Sequence, residues 1–326
     1  MKIAITGASG HLGVNLCRDL LNLGHSLRCL VHHNEGSLKD ILIESVKGDL
    51  MDYDSLLHLV EGADAVIHLA AVISIRGRGR EDMMEKNVEG TRRIIRALRE
   101  ARIGKYIHIS SIHALKHEPY DQPLDENRPL SLADRMSYSR SKARAEKIVL
   151  EAVQQGLDAV ILNPTAFIGP YDYGPSLLGR ALLLMAANKL PSLIPGGYDW
   201  VDVRDVSRGI IFALEKGRPG ERYILPGKWL ELRELSLIIS RLTGGRPMKR
   251  ICPGWLALLG LPFLNAYGRL RNKEPLYTRD SLNTLKNGHR LISGKKAAEE
   301  LGYKARPIEV TLKDTLEWFK ERGLLS

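Results

Sequence analysis

Cysteine is scarce in this chain of 326 residues, which contains Cys17, Cys29 and Cys252 and no others. The number is odd and no two of the three form a Cys-x-x-Cys pair, which excludes a complete disulfide framework and argues against a cysteine-ligated zinc site. We therefore expect reduced thiols packed as small apolar side chains, no bound metal and a cytoplasmic location. A chain of this length can bury a sizeable core without cross-links.

Long apolar runs are missing as well. The N-terminal run Lys2–Thr6 ends at Gly7 and is too short for the apolar region of a signal peptide. The run Trp255–Leu264 is interrupted by Pro262 and falls below the roughly 18 apolar residues that a membrane helix needs. These absences predict a protein without an integral membrane span.

The chain carries an excess of positive charge, with a formal net charge of +10. Lysines and arginines are spread over the whole length with acidic residues between them, and the cluster of Arg76, Arg78 and Arg80 lacks interleaved aromatic residues. Proteins that bind single-stranded nucleic acid use such aromatic platforms. We expect no nucleic-acid partner, since a polyanionic small ligand would need only a few of these charges.

Short apolar runs alternate with helical periodicities in the first half of the chain. The strand-like runs are Lys2–Thr6, Ser26–Val31, Ile43–Lys47, Ala65–Leu69, Tyr106–Ser110 and Asp158–Asn163. Continuous apolar runs of this length are typical of strands buried on both faces of a parallel sheet, and the helices between them predict right-handed crossovers. We expect an α/β fold with a doubly wound parallel Rossmann sheet.

The first strand runs directly into Thr6-Gly7-Ala8-Ser9-Gly10-His11-Leu12-Gly13, and a helical pattern follows. Glycines let the backbone approach a pyrophosphate closely, and the N–H groups that open a helix attract its charge. The Gly-x-x-Gly-x-x-Gly spacing differs from the Gly-x-Gly-x-x-Gly fingerprint, but its position between strand and helix is the same. We predict a dinucleotide site formed by Gly7, Ser9, Gly10, His11, Leu12 and Gly13. The alternative is a packing turn without a ligand.

The end of the second strand selects between the two dinucleotides. An acidic residue there would hold the ribose 2′-hydroxyl and repel a 2′-phosphate. This chain has His32 and His33 instead, with Arg28 and Lys39 as further candidate phosphate partners. We predict NADP(H), with NAD(H) as the alternative if the two histidines are ordinary solvated loop residues. After the third strand, Asp49 could accept a hydrogen bond from the adenine amino group or cap a turn.

The composition of the sequence changes after Asn163, where proline and glycine become frequent and interrupt the helix and strand patterns. We expect a dinucleotide-binding domain over residues 1–165, with segments at about 198–226 returning to it. A smaller, mostly helical substrate-binding lobe would then comprise residues 166–197 and 227–326. Within the returning segments, Trp200–Val203 and Arg222–Leu225 are interpreted as further strands of the main sheet.

Tyr138 and Lys142 lie four residues apart at the start of a helical pattern. This spacing puts the phenol and the amine on one helical face. Free tyrosine titrates near 10, and a nearby ammonium lowers the pKa of the phenol toward the range of a general acid or base. On its own such a pair is common on solvated helix faces, so its position relative to other polar residues decides its meaning.

Ser110 and Ser111 end a strand-like run at the sheet edge that carries the glycine turn. Ser111 could orient a substrate oxygen while Tyr138 transfers the proton. The alternative is that both serines satisfy backbone groups at the end of the strand. We predict a catalytic group of Ser111, Tyr138 and Lys142.

These motifs together resemble the extended short-chain dehydrogenase/reductase family, within the NAD(P)-dependent epimerase/dehydratase superfamily. The similarity is greatest to its dihydroflavonol reductase-like and 3β-hydroxysteroid dehydrogenase-like branch. Besides the glycine turn and the Tyr138 to Lys142 segment, it is carried by Gly48-Asp49-Leu50, Val66-Ile67-His68-Leu69-Ala70-Ala71, Asn87-Val88-Glu89-Gly90-Thr91, His108-Ile109-Ser110-Ser111, Asn163-Pro164-Thr165 and Trp200-Val201-Asp202-Val203-Arg204-Asp205-Val206. These segments span nearly the whole chain in family order.

The resemblance implies further cofactor contacts. Asp49 and Leu50 would flank the adenine, and Tyr138 and Lys142 would reach the nicotinamide end, where Lys142 would hold the ribose. The remaining implied contacts are Leu69, Ala70 and Ala71 along the ribose side and Asn163, Pro164 and Thr165 beside the nicotinamide.

The substrate is less well determined by the sequence. Sugar-nucleotide members of the family often carry Arg-Pro-Phe-Asn ahead of a Gly-Pro pair, whereas this chain has Ala166 where that asparagine would stand. Apolar residues at Leu177–Met185 and Trp255–Leu264 would suit an apolar, ring-containing substrate. They are equally consistent with lobe core or a homodimer contact, and less so with a membrane-surface role.

We therefore predict an NAD(P)-dependent oxidoreductase that favours NADP(H). It would transfer a hydride between the nicotinamide and a carbonyl or secondary alcohol of a rather apolar small molecule, such as a dihydroflavonol-, steroid- or aldehyde-like compound. The alternatives are a nucleotide-sugar epimerase or dehydratase that retains its NAD(P), and a non-catalytic NADP(H)-sensing protein.

Overall fold

The computed structural model describes residues 1–32, 36–72, 80–248, 250–261 and 278–325, and the side chains of residues 80–82 are not described. His33, Arg76, Arg78 and the end of Trp255–Leu264 lie outside the described residues. The chain divides into two compact units. Unit 1 comprises Met1–Thr165, Val203–Pro226 and Ser293–Ala305, and unit 2 comprises Ala166–Asp202, Gly227–Ile292 and Arg306–Ser326.

Unit 1 is built on a parallel sheet. Its strands are β1 (Lys2–Thr6), β2 (Ser26–Val31), β3 (Glu44–Lys47), β4 (Ala65–His68), β5 (Lys105–Ile109), β6 (Asp158–Pro164) and β9 (Arg222–Leu225). They pair in the order β3-β2-β1-β4-β5-β6-β9, and every pairing is parallel. The strand order reverses between β1 and β4, as in a doubly wound α/β sheet, so the predicted fold class is confirmed.

Helices cover the sheet of unit 1. They are α1 (His11–Asn22), α2 (Tyr53–Val60), α3 (Arg80–Glu100), α4 (Ser137–Gln154) and α6 (Val203–Lys216). One core, formed by α2, α3, α4 and the sheet, contains Leu59, Ile94, Tyr106 and Val149, all fully buried. Burial of each apolar side chain of this size contributes about 1.5–3 kcal/mol, which holds the helices in fixed positions on the sheet.

Unit 2 has a small mixed sheet and several helices. The strands β7 (Ala166–Ile168), β8 (Gly197–Asp202) and β10 (Lys228–Glu231) pair in the order β10-β8-β7. The helices are α5 (Leu177–Ala186), α7 (Leu232–Thr243), α8 (residues 254–261), α9 (Arg279–Lys286) and α10 (Ile308–Glu321). Trp200, Leu235, Leu312 and Phe319 are buried together in its core.

Two segments lie elsewhere than the sequence predicts. Trp200 belongs to the small sheet, where it pairs with Lys228 and Ala166, and not to the main sheet. Ser293–Ala305, expected in the lobe, belongs to unit 1, where the Tyr303 hydroxyl donates to the carbonyl of Pro226 at 2.9 Å. The apolar pattern of a segment predicts a strand but does not determine which strands it pairs with. A segment held by a single hydrogen bond, such as that of Tyr303, has no apolar pattern that would predict its position.

The apolar run that begins at Trp255 is not core in the part that the structure describes. Trp255, Leu256, Leu258 and Leu259 are exposed, and only Leu261 is buried. Within the described residues, no helix combines the length and apolar character needed to cross a bilayer.

Candidate active site

The glycine turn after β1 is held tightly by its own backbone. Gly7 has a φ of +78°, and a Cβ built on it would lie 2.7 Å from the amide nitrogen of Ala70. A Cβ on Gly13 would lie 2.3 Å from the Gly7 carbonyl oxygen. Both positions therefore require glycine for packing of the turn against α1 and the end of β4, which is the ligand-free alternative stated above.

Gly10 is different. It is the N-cap of α1, and no side chain caps that helix. Among the described residues, a Cβ on Gly10 would meet only the Gly7 carbonyl oxygen, at an ordinary 3.4 Å. These residues therefore leave room for a side chain at Gly10, beside the N–H groups of the first turn at His11, Leu12 and Gly13. A close, uncapped helix start of this kind fits a dinucleotide pyrophosphate.

Two neighbours of the turn complete this part of the site. The Ser37 hydroxyl donates to the carbonyl of Ser9 at 2.9 Å and so holds the turn from the far side of β2. Leu69 follows β4, and its N–H donates to the Thr6 carbonyl at 3.1 Å. Ala70 and Ala71 continue from there alongside the glycine turn. Sequence reasoning missed Ser37, because nothing in the local pattern links it to Ser9.

The end of β2 offers one described histidine. The Nε2 atom of His32 lies 3.6 Å from a carboxylate oxygen of Asp49. The other Asp49 oxygen accepts from the N–H of Met51 at 2.5 Å, which matches the turn interpretation, whereas Asp52 caps α2. The structure thus brings two predicted cofactor residues together, while His33 lies outside the described residues.

Arg28 does not serve as the predicted phosphate partner. Its guanidinium donates to the carbonyls of His58 and Glu61 at 2.9 and 2.6 Å and forms an ion pair with Glu44 at 2.8 Å. The residue is 7% exposed. Every part of the side chain is therefore committed to joining β2, β3 and the end of α2.

Leu50, a predicted adenine contact, packs against Gly90 of α3. A Cβ built on Gly90 would lie 2.9 Å from a methyl carbon of Leu50, so a side chain there would have to displace Leu50. Leu50 is partly buried against the core of unit 1. This contact explains the glycine in Asn87-Val88-Glu89-Gly90-Thr91, to which the sequence alone assigns no role.

Ser111, Tyr138 and Lys142 converge at the end of β5. Ser111 follows the strand and is buried, and Tyr138 lies in the first turn of α4 with part of its surface exposed. The Lys142 ammonium, 5% exposed as a residue, donates to the carbonyl of Ile109 at 2.8 Å. Ser111 is close enough to Tyr138 to act as its side-chain hydrogen-bond partner. The three predicted catalytic residues thus lie together.

The protonation of these groups differs from the sequence-based expectation. Burial raises the pKa of the Tyr138 phenol, and the Ser111 hydroxyl only partly opposes this effect. Burial lowers the pKa of Lys142 to about 8, and Glu146 opposes that change. Burial therefore decides the pKa of the phenol, the expected lowering of that pKa by the ammonium is not found, and the phenol is held in its protonated form.

Asn87 on α3 positions the catalytic helix. Its amide nitrogen donates to the carbonyl of Val72 at 3.0 Å and to the Ser141 hydroxyl at 3.1 Å, and its amide oxygen accepts from the N–H of Val72 at 2.7 Å. Ser141 in turn donates to the carbonyl of Tyr138 at 2.8 Å. The segment after Ala71 is thereby tied to the turn that carries Tyr138.

Two histidines stand beside the phenol. The rings of His113 and His117 are stacked at 5.3 Å, and the ring of His113 meets that of Tyr138 edge-on at 6.2 Å. Burial lowers the pKa of His113 to about 3, with His117 adding to the shift, so His113 is uncharged at neutral pH. Sequence reasoning missed both, although they follow Ser111 within six residues.

The last predicted cofactor residues lie on β6. Asn163 and Pro164 are its final residues, and the N–H of Thr165 donates to the carbonyl of Leu225 on β9 at 3.3 Å. All three are buried at the same sheet edge as Ser111. Among the described residues, no group of three or more histidine, cysteine or acidic side chains is arranged to hold a metal ion.

Comparisons with known proteins place this geometry in context. The model of the NAD dependent epimerase/dehydratase family matches residues 3–225. Sterol demethylase protein B of Methylococcus capsulatus is 33% identical over 332 residues, covering 100% of both chains. A putative dihydroflavonol 4-reductase of a Synechocystis species is 31% identical over 98% of this chain and 94% of its own. The solved structure of gox2253 is 34% identical, with a TM-score of 0.86 over 100% of this chain and 99% of that one.

Proposed function

Because this chain belongs to the NAD dependent epimerase/dehydratase family of NAD(P)-dependent enzymes, we propose that it is an NADP(H)-dependent reductase of an apolar carbonyl compound. The observation that carries the proposal is the convergence of Ser111, Tyr138 and Lys142 at the sheet edge that also bears the glycine turn. A proton donor, an oxygen-orienting hydroxyl and an ammonium at one site are what carbonyl reduction requires of the protein.

The residues would divide the work as follows. The bound dinucleotide supplies the hydride. Ser111 donates a hydrogen bond to the carbonyl oxygen and orients it, and Tyr138 donates the proton that this oxygen needs as negative charge develops on it. Lys142 holds the nicotinamide ribose and places a positive charge near the phenol. A phenol whose pKa is raised is present as the acid at neutral pH, which suits the direction of reduction.

Three features favour an apolar carbonyl compound over a sugar nucleotide. Ala166 replaces the asparagine that sugar-nucleotide members often use, so a polar substrate contact is missing at that position. The names of the two relatives above refer to a sterol and to a dihydroflavonol, both of which are multi-ring compounds. The uncharged ring of His113, which lies beside Tyr138 and stacks on His117, would suit a planar, unsaturated substrate.

The preference for NADP(H) rests on the end of β2. No carboxylate occupies the position after Val31, and His32 stands there instead. An imidazole can donate to a 2′-phosphate, whereas an acidic residue would repel it. Replacement His32→Asp should therefore shift the ratio of kcat/KM for NADPH to that for NADH toward NADH by about tenfold or more. A ratio that already favours NADH in the wild type would overturn this preference.

The decisive experiment is a substrate screen with NADPH and NADH. Steroid, flavonoid, aldehyde and sugar-nucleotide panels are tested for net oxidation of the reduced nicotinamide, followed by its absorbance. We expect net oxidation with a ring-containing carbonyl compound. Turnover of a sugar nucleotide without net absorbance change, by protein that retains its dinucleotide through purification, would identify an epimerase or dehydratase instead. Tight binding without any turnover would identify a sensing protein.

A further inference from the structure

Glu146 is a carboxylate with no exposed surface, one helical turn beyond Lys142 on α4. One of its oxygens accepts from the Ser110 hydroxyl at 2.6 Å and from the Asn163 amide nitrogen at 2.9 Å. Its other oxygen lies 2.6 Å from Nε of Arg222 on β9. Helix α4, strands β6 and β9 and the residue that follows β5 thus each contribute one group to a single buried cluster, which we call the Glu146 cluster.

The charge of Glu146 is balanced by Arg222. The Arg222 side chain is 14% exposed, and its Nη1 atom also donates to the carbonyl of Glu126 at 2.9 Å. Removing a carboxylate and a guanidinium from water costs several kcal/mol each, and their attraction only partly returns this. Apolar residues of similar size would fill this space at least as stably. A role other than stability would explain why the cluster is ionic.

The Glu146 cluster contacts the proposed catalytic residues on two sides. The Asn163 amide nitrogen donates one hydrogen to Glu146 and its other hydrogen to the carbonyl of Ser111 at 3.0 Å. Ser110, which donates to Glu146, is the chain neighbour of Ser111. Lys142 donates to the carbonyl of Ile109, the residue before Ser110. The carboxylate therefore fixes the three-residue segment that both presents Ser111 and receives the Lys142 ammonium.

Glu146 is the acidic residue whose charge acts on Lys142. Two neutral histidines face the same region from the sheet, His68 on β4 and His108 on β5, and burial, with the Lys142 ammonium adding to it, lowers the pKa of each of them. The Tyr138 phenol is uncharged, since burial raises its pKa. The carboxylate of Glu146 acts in the opposite sense to burial and raises the pKa of Lys142.

We propose that Glu146, held in place by Arg222, is a positioning residue that keeps the buried Lys142 cationic and sets Ser111 against Tyr138. This role goes beyond the proposed reductase function and, in its catalytic consequence, rests on it. The charge state of Lys142 can be measured without any turnover, so the proposal can be tested separately from the reaction.

The direct test is an NMR titration of Lys142 in the full chain. The protein is labelled with ¹³C at Cε of lysine, and the Lys142 signal is assigned from its loss in Lys142→Met. In Glu146→Gln, which keeps the size of the side chain, we expect the Lys142 titration midpoint to move down by about one pH unit or more from that of the wild type. An unchanged midpoint in the folded variant would overturn the proposal.

Two further variants complete this test, a matched control and a double variant that is used if Glu146→Gln does not fold. Glu44→Gln removes the carboxylate that pairs with buried Arg28 in the same unit, and it should leave the Lys142 midpoint unchanged. If Glu146→Gln does not fold because Arg222 is left unpaired, the double variant Glu146→Gln/Arg222→Gln removes both charges together. The same downward shift is expected there, and its absence would contradict the proposed role.

Kinetic measurements then test the catalytic role of Glu146 separately from the proposed reductase mechanism. With a substrate from the screen, kcat of Glu146→Gln should fall at pH 8 by about fivefold or more and recover toward pH 6, because the more acidic lysine is again protonated there. A purely structural role would lower kcat equally at all pH values. If Tyr138→Phe is as active as the wild type, the reductase mechanism fails, while the NMR titration still decides the role of Glu146.

Discussion

The carboxyl edge of β5 and β6 in unit 1 and the core of unit 2 both contain closely packed buried side chains, but of opposite kinds. The first buries Ser110, Lys142, Glu146 and Asn163, each with named hydrogen-bond or ion-pair partners. The second buries Trp200, Leu235 and Phe319 among other apolar residues.

The difference teaches where each unit can tolerate change. Apolar contacts are non-directional, so loss of one side chain leaves a cavity whose cost is limited by its volume. Buried polar groups depend on particular partners, and removing one partner leaves the other unsatisfied. We therefore expect loss of the partly exposed Tyr138 hydroxyl to affect chemistry more than stability, loss of a fully buried polar partner to affect both, and substitutions in the apolar core to affect mainly stability.

The largest expected effect is at the polar edge. Tyr138→Phe should reduce turnover roughly 10²–10⁴-fold, because it removes the proton donor and little else. Its unfolding free energy, from urea titration, should stay near that of the wild type. Tyr53→Phe, which removes a hydroxyl bound to Glu100 on the helix surface, is the matched control and should retain full turnover. Near-normal rates in Tyr138→Phe would exclude the phenol from the mechanism.

The apolar core should respond in the opposite way. Leu235 on α7 is fully buried, and Leu235→Ala should lower the unfolding free energy by about 2–5 kcal/mol through lost contacts and a cavity. Leu237 on the same helix is exposed, so Leu237→Ala should change it by no more than about 0.5 kcal/mol. Dinucleotide affinity, measured by calorimetry, should be unchanged in both. Equal stability of the two variants would contradict the assignment of Leu235 to the core.

Acid should destabilise unit 1 through its buried histidines. Burial lowers the pKa of His68 to about 3 in the folded state, whereas the unfolded value is near 6.5. Between these values the unfolded chain binds the extra proton, so stability is lost as pH falls below about 6.5, by about 1.4 kcal/mol per pH unit for this group. Urea titrations at pH 7, 6 and 5 should show a shallower pH slope in His68→Gln. The same slope in both proteins would refute this assignment.

The smallest effect concerns the glycine turn. Gly10→Ala has room for its Cβ and should cost at most about 1 kcal/mol of stability, yet it should weaken dinucleotide binding about tenfold if a pyrophosphate lies there. Gly13→Ala must displace the Gly7 carbonyl and should weaken both stability and binding. Calorimetric titration with NADPH, together with urea unfolding, distinguishes the two. Unchanged affinity in Gly10→Ala would favour the packing turn without a ligand.

Much of unit 1 could be predicted from the sequence because its signals are local. The six strands of the first half all lie within one residue of the predicted runs, since apolar runs of four to seven residues mark buried parallel strands directly. The spacing of Tyr138 and Lys142 places them on one helical face. Their meeting with Ser111 follows from the shared edge of a parallel sheet.

The rest depends on contacts between distant residues. Glu146 looks like an ordinary helix residue until Arg222, on a strand far along the chain, is brought beside it. Ser37 and Asn87 form hydrogen bonds with backbone atoms. Because every residue has such atoms, the sequence does not show which ones are bound. The partner of Trp200 depends on which sheet forms around it, and the apolar period of the strand is the same in either case.

Arg28 has a consequence for attempts to redesign dinucleotide preference. A mutant library aimed at that goal would normally include the cation on the second strand, since it lies close in sequence to the ribose-selecting position. Here that guanidinium joins two strands to the end of a helix by hydrogen bonds and an ion pair. Most replacements of Arg28 would therefore give poorly folded protein. Diversity is better placed at His32 and Lys39, whose side chains face solvent.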